Sequence, residues 1–154
     1  MSKISIIILA GNVEKEIEAA LISSQFADEI IVVDTGSTDN TQKICHRYGA
    51  KIVHSTGDSF AKWRNDGAAE AKVEWLLYLD SDERITVKLS QEILREIANF
   101  SHQAYTIPRY EIFLGKHLDN WADPRVLRLI RKDSLIKWQG RLHEQPKIDG
   151  ELGY

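Results

Sequence analysis

The chain has 154 residues, with 20 Lys and Arg against 23 Asp and Glu for a formal net charge of −3, and 43% of it is hydrophobic. That balance is typical of an ordinary soluble globular domain able to bury a core without staples, and it excludes a nucleic-acid binder that relies on bulk positive charge. The single cysteine, Cys45, excludes an intramolecular disulfide and a multi-cysteine zinc site, and it suits a reducing compartment.

The apolar stretch at 6–10 falls far short of the roughly 20 residues of a spanning helix. Only Lys3 precedes it and no small-residue cleavage site follows, so the chain reads as cytoplasmic, with peripheral association at the inner membrane face left open. Ile4–Ala10 itself is nearly continuous, rich in β-branched residues and bounded by Gly11-Asn12, which predicts a strand buried on both faces. Val13, Ile17, Ala20 and Leu21 then recur at helical spacing, with Asn12 placed as an N-cap. Residues 29–33 form a second apolar strand. Asp39 followed by Gln42 resembles a capping box for a helix with Ile44, Cys45 and Tyr48 on its apolar side and Gly49 as its C′ glycine. Lys51–His54 reads as a third strand, 60–71 as a third helix and 73–79 as a fourth strand.

Four strands alternating with helices in about 80 residues predict a parallel α/β sheet with helices on both faces. Beyond Asp82 the pattern changes. Leu89, Ile93, Leu94 and Ile97 fit one more helix, and 104–107, 111–114 and 126–130 read as short strands with turns at Pro108, Gly115 and Pro124. No repeat or linker interrupts the chain, so one domain is expected, α/β at first and more irregular toward the C-terminus.

Two of the strands end in acid. The second runs into Asp34-Thr35-Gly36-Ser37-Thr38-Asp39, and the fourth into Asp80-Ser81-Asp82-Glu83. In an open parallel sheet, ligands bind outside the carboxyl ends of the strands, so both clusters fall on the expected edge. In extended geometry Asp80 and Asp82 point to the same side and can converge on one hard cation, Mg²⁺ or Mn²⁺, which usually takes one or two carboxylates plus substrate phosphates. A solvated acidic turn is the alternative for that cluster, and an ordinary turn residue the alternative for Asp34. The 36–39 loop lacks the GxxxxGK[ST] of a P-loop and the GxGxxG of a dinucleotide site, so a nucleotide there would be held mainly through base and ribose.

Residues 30–41, ending Val32-Val33-Asp34-Thr35-Gly36-Ser37-Thr38-Asp39-Asn40-Thr41, resemble the VVD-x-GSTD-x-T signature of family 2 glycosyltransferases of the GT-A fold. Asp80-Ser81-Asp82-Glu83 is similar to that family's DxD motif in its LDxDE form. Phe60-Ala61-Lys62-Trp63-Arg64-Asn65 resembles its F-x-x-x-RN helix. Trp138-Gln139-Gly140-Arg141-Leu142-His143-Glu144 resembles the W-x-G-x-x-HE element of the subgroup similar to lipopolysaccharide-core β-glucosyltransferases. The four stretches occur in order between residue 4 and about residue 148.

The resemblance implies a Rossmann-like nucleotide-diphospho-sugar transferase fold and an inverting, metal-dependent transfer from a UDP-hexose to a hydroxyl of a glycan or glycolipid acceptor, in cell-envelope polysaccharide synthesis. It implies nucleotide-sugar contacts at Ala10, Asn12, Asp34, Gly36, Ser37, Lys62, Arg64, Asp80 and Ser81. It implies Mg²⁺ or Mn²⁺ held by Asp80, Asp82 and His143, and catalysis by Glu144, as base, with His143. Residues 1–83 would form the nucleotide-sugar part and 84–154 the acceptor side. Members of the subgroup continue past the HE element whereas this chain stops at Tyr154, so donor binding is expected to survive better than acceptor recognition. No nucleic-acid partner is expected, and oligomeric state is not legible.

Each position keeps a structural alternative. Asn12 can serve only as a cap, Arg64 can pair with Asp66 or Glu70 on the surface, and His143 can be a satisfied structural residue. Arg125 and Arg128 can meet an anionic acceptor or line an exposed strand. Trp121 and Trp138 can stack on sugars or simply pack. A donor-binding domain without turnover would share every motif through residue 83. A nucleotidyltransferase would carry a basic glycine-rich loop after the first strand, which 10–14 does not supply, and a receiver-type domain would distribute its acids and lysine differently.

Overall fold

In the computed structural model, β1 (Ile4–Ala10), β2 (Glu29–Asp34), β3 (Lys51–His54) and β4 (Trp75–Asp80) are parallel neighbours in a seven-stranded sheet. The structure describes residues 2–110, 112–113, 116–117, 125–140 and 143–154. β1 lies between β2 and β4, pairing Ile6 with Ile30 on one side and with Leu77 on the other, and all seven of its residues are buried. A continuous apolar run is what a strand covered on both faces requires. Beyond β4 the sheet is completed by β5 (Ala104–Pro108), β8 (Arg125–Arg131) and β11 (Leu152–Gly153), in the order β11-β5-β8-β4-β1-β2-β3. β8 runs antiparallel to both β4 and β5.

Successive residues of β1 feed two cores. Ile4, Ile6 and Ile8 pack with Ile17 and Leu21 of α1 (Ile17–Ser23), Cys45 of α2 (Thr41–Arg47), and Ile93 and Ile97 of α4 (Val87–Ala98). Ile7 and Leu9 pack on the other face with Ala61 and Ala68 of α3 (Phe60–Glu70) and with Trp138 of β9 (Leu135–Gln139). The doubly covered α/β sheet is therefore as expected. α3 sits unusually close to it: a Cβ on Gly67 would lie 2.6 Å from Ile7 Cγ2 and 2.9 Å from Val33 Cγ2. Burial pushes the Cys45 thiol up to about 11, with the nearby Asp34 charge adding to the effect, so it is an unreactive core residue.

Helix ends follow local chemistry in some places and not in others. α2 closes as expected, with Gly49 at φ +72°, its N–H donating to His46 O, and Ala50 N–H donating to Cys45 O. α3 and α4 are capped by Ser59 and Thr86. The first helix differs. α1 begins at Ile17, and Asn12, at φ +53°, does not cap it. The Asp39–Gln42 capping box does not form either. Asn40 occupies the N-cap, Asp39 accepts from Thr41 N–H two residues on, and the Gln42 amide donates to Asp34.

The predicted strand at 111–114 is represented by β6 (Ile112–Phe113), paired with β7 (Lys116–His117). Glu111 and Leu114, like the turns at Gly115 and Pro124, lie outside the described residues. β7, β9, β10 (Gln145–Ile148) and β11 were not expected, and β9 and β10 form a separate two-stranded antiparallel sheet. Among the described residues no helix is long and apolar enough to cross a membrane.

Candidate functional site

β2 ends at Asp34 and β4 at Asp80, and both acids flank the end of β1, where Ala10 is paired with Asp34 and Leu9 with Asp80. Two strand spacings separate them, about 10 Å. Asp34 is 1% exposed. Its carboxylate accepts from Gly36 N–H, Ser37 N–H and the Gln42 amide, and His54 Nδ1 stands 3.6 Å away. Gly36 makes this turn at φ +105°, a region L side chains rarely enter.

Burial alone would raise the Asp34 pKa, but the hydrogen bonds from Ser37, Gly36 and Gln42 outweigh it and hold the carboxyl below its ordinary value. A depressed folded-state pKa means the carboxylate stabilises the fold fully above about pH 4 and that this contribution fades as pH falls through the folded value. In urea unfolding, Asp34→Asn is expected to flatten the stability loss below about pH 4. Parallel acid limbs in the two proteins would contradict the assignment.

Asn12 locks the same loop from the other side. Its Oδ1 accepts from Thr38 N–H at 2.8 Å and from Asp39 N–H at 3.3 Å, while its own N–H donates to Ser37 Oγ. Val13 N–H donates to Thr41 Oγ1 and Glu14 N–H to Asp39, so the two loops after β1 and β2 form one interlocked unit. Ala10 is buried, and its carbonyl already accepts from Thr35.

Around Asp80 the structure closes a charge network. Arg64, on α3 and 4% exposed, donates from Nη2 to Asp80 Oδ1 at 3.0 Å and from Nε to Glu144 Oε1 at 2.9 Å. Arg128, on β8, donates to both Asp80 oxygens and at 3.2 Å to Glu83. Glu83 also accepts Asp80 N–H at 2.9 Å. The Arg64 guanidinium lies over Trp138 at 4.9 Å and over Tyr78 at 5.7 Å, and among the described residues its Nη1 has no hydrogen-bond partner. Burial would raise the Asp80 pKa, but the Arg128 and Arg64 guanidiniums hold it below the usual range.

Three of the four sequence stretches therefore meet at one point. Arg64 joins this network and does not pair with Asp66 or Glu70 on the surface. Lys62 is instead the partner of Asp66, at 2.7 Å. Trp138 is a packed residue, 5% exposed and edge-on to Tyr78. Asp82 is exposed, and Ser81 is half-buried beside it. His143 is exposed, at φ +58°, adjacent to Glu144. Trp121 lies outside the described residues. Sequence reasoning left Arg128 undecided, gave Glu83 only as a third acid of its cluster, and assigned no site role to Gln42 or Asn65. For Arg128 the signal was a lone charge inside Val126-Leu127-Arg128-Leu129-Ile130.

Among the described residues no three His, Cys, Asp or Glu side chains are grouped so as to hold a metal ion by themselves, so Asp80, Asp82 and His143 are not a preformed three-ligand cage. The donor set still fits a divalent ion shared with a diphosphate. Asp82 presents an open carboxylate, and of the roughly four lone-pair directions on Asp80, guanidinium N–H groups occupy three.

The profile described as Glycosyl transferase family 2 matches residues 5–147. An uncharacterized glycosyltransferase of Rickettsia bellii is 35% identical over 125 residues, covering 80% of this chain and 42% of that protein. The lipopolysaccharide core biosynthesis glycosyltransferase LpsC of Rhizobium meliloti is 27% identical, covering 97% of this chain and 59% of that one. The crystal structure of S. aureus TarS 1–349 in complex with UDP-GlcNAc superposes with a TM-score of 0.65 at 27% identity, over 74% of this chain and 36% of that one. Glucosyl-3-phosphoglycerate synthase from Mycobacterium tuberculosis, solved with Mn²⁺, UDP and glucosyl-3-phosphoglycerate, shares the fold at a TM-score of 0.60 and 18% identity, over 87% of this chain and 58% of that one. In each case the chain spans less than two thirds of the relative's own length.

Proposed function

The chain belongs to glycosyl transferase family 2, and from that membership we propose that it binds a UDP-hexose and transfers the sugar, with inversion, to a hydroxyl of a glycan or glycolipid acceptor. The observation that carries this reading is the closure of Arg64, Asp80 and Glu144, 80 residues apart at the extremes, into one hydrogen-bonded cluster at the carboxyl edge of the sheet. The bound TarS and mycobacterial synthase complexes support a UDP-linked donor.

A nucleotide laid across the end of β1 would set its base and ribose toward Asp34, Asn12, Gly36 and Ser37, and its diphosphate toward Ser81 and the Asp80 turn. Residues 1–83 supply most of this donor side and residues 84–154 the rest of the cluster. Asp82, with the remaining lone pair of Asp80, would hold Mg²⁺ or Mn²⁺, which supplies charge neutralisation on the leaving diphosphate. Arg64 and Arg128 hold the acidic turn in place and present positive charge to the same phosphates. His143, next in sequence to Glu144, is the remaining candidate for a ligand to that ion. Glu144 accepts the acceptor proton as the hydroxyl attacks the anomeric carbon, a contribution of about 10²–10⁴-fold for a placed base.

Calorimetric titration of UDP-, GDP- and dTDP-sugars with and without Mn²⁺ tests the reading. UDP-sugars are expected to bind with Mn²⁺-enhanced affinity, and Asp82→Asn is expected to abolish the enhancement. Equal affinity of that variant for UDP with Mn²⁺ would remove Asp82 from the metal site. A turnover assay separates a transferase from a donor-binding domain.

A further inference from the structure

Among the described residues β9 has one ladder partner, β10, and no ladder pairing with the seven-stranded sheet. Within that pair Trp138 faces Pro146, which has no N–H to give. In an antiparallel ladder, a residue not bonded to its opposite number turns both its N–H and its C=O outward. Here they meet a side chain. Trp138 N–H donates to Asn65 Oδ1 at 2.8 Å, and Asn65 Nδ2 donates to Trp138 O at 3.0 Å. A primary amide carries an acceptor and a donor side by side, so Asn65 replaces the missing strand.

The consequence reaches the charged cluster. From Trp138 the chain passes Gly140, at φ +106°, and His143, at φ +58°, and reaches Glu144 immediately before β10 starts at Gln145. Gly140 lies close against Glu144: a Cβ on it would lie 3.3 Å from Glu144 Cα. Where β9 docks therefore decides where Glu144 lies. Asn65 is also the residue next to Arg64, so one turn of α3 supplies both the clamp on the hairpin and the guanidinium that receives Glu144.

We propose that Asn65 is a positioning residue whose amide docks the β9–β10 hairpin on α3 and thereby delivers Glu144 to Arg64. This rests on the reading of Glu144 as the base of the proposed transfer. Asn65→Ala removes both bonds, while Asn65→Asp keeps the acceptor for Trp138 N–H and sets an anion against Trp138 O.

Hydrogen exchange, UDP titration and steady-state kinetics with a UDP-sugar on wild type and both variants form the test. Amides of 135–148 are expected to exchange at least about tenfold faster in both variants, with those of 4–10 unchanged as the control for global folding. UDP affinity is expected to stay within about twofold, while kcat falls about tenfold or more and the donor KM changes little. The kcat–pH profile is expected to shift toward that of Glu144→Gln. Wild-type exchange rates in 135–148, or a raised KM with kcat intact, would overturn the proposal. If wild type turns over no donor, the functional reading fails, and the exchange data alone then decide whether Asn65 docks the hairpin.

Discussion

Arg64→Ala is expected to destabilise the fold by about 3 kcal/mol, because removing one partner of a buried ion pair strands the other. Arg64 is 4% exposed and bridges Asp80 and Glu144, so its loss takes an ion-pair partner from both carboxylates and leaves Asp80 to Arg128 among the described residues. It also removes the guanidinium that lies over the Tyr78 and Trp138 rings. The lower end of the usual range applies because the Asp80 side chain is 34% exposed and water screens part of the deficit. For a chain of this size the Tm falls by roughly 6–12 °C. UDP affinity falls with it, since the acidic turn loses one of its two braces. Arg64→Lys keeps the charge but not the planar fork, holds one carboxylate at a time and is expected to lie between. Thermal and urea unfolding measure the effect, and a change within about 0.5 kcal/mol, the size of an ordinary surface substitution, would contradict it.

Gly67→Val is the second large effect. The added Cβ meets Ile7 Cγ2 and Val33 Cγ2, both on fully buried side chains of central strands with no free direction to turn. Overpacking of this kind costs about 1–3 kcal/mol, and a β-branched residue with two further methyls belongs at the upper end. The clash relaxes only if α3 moves off the sheet. Arg64 lies one turn earlier on that helix, so the variant is expected to lose donor affinity as well as stability. Gly67→Ala is milder, because a better helix former returns up to about 1 kcal/mol. Urea unfolding together with UDP titration checks both variants. Full donor affinity in a destabilised Gly67→Val protein would show that α3 can shift without moving the guanidinium.

The first 83 residues were legible because each buried strand is a near-continuous apolar run and each helix between them has its own period. The errors there are non-local ones. Asn12 looks like a cap until its side chain is seen to serve backbone groups 26 and 27 residues away. Gln42 looks like part of a capping box until Asp34 takes its amide. The last third was harder for a different reason. β6, β7 and β11 have two residues each, too few to show a period. β9 gains its outer partner from a side chain, which no strand pattern encodes. The candidate site was visible as separate motifs, while the bonds joining them were not, because Arg64 can pair with neighbours on its own helix as well as with acids 16 and 80 positions distant.

The strand order has a consequence for how the chain is made. β8 is the segment that seals β4, and some 45 residues separate them in sequence, β5 included. Until β8 emerges from the ribosome, β4 presents Trp75, Leu76 and Leu77 along a bare sheet border, the kind of border that recruits foreign strands. Closing that border is a long-range event that slows assembly. A nascent polypeptide arrested before β8 is thus a sticky species, and the sheet matures only once β8 is added.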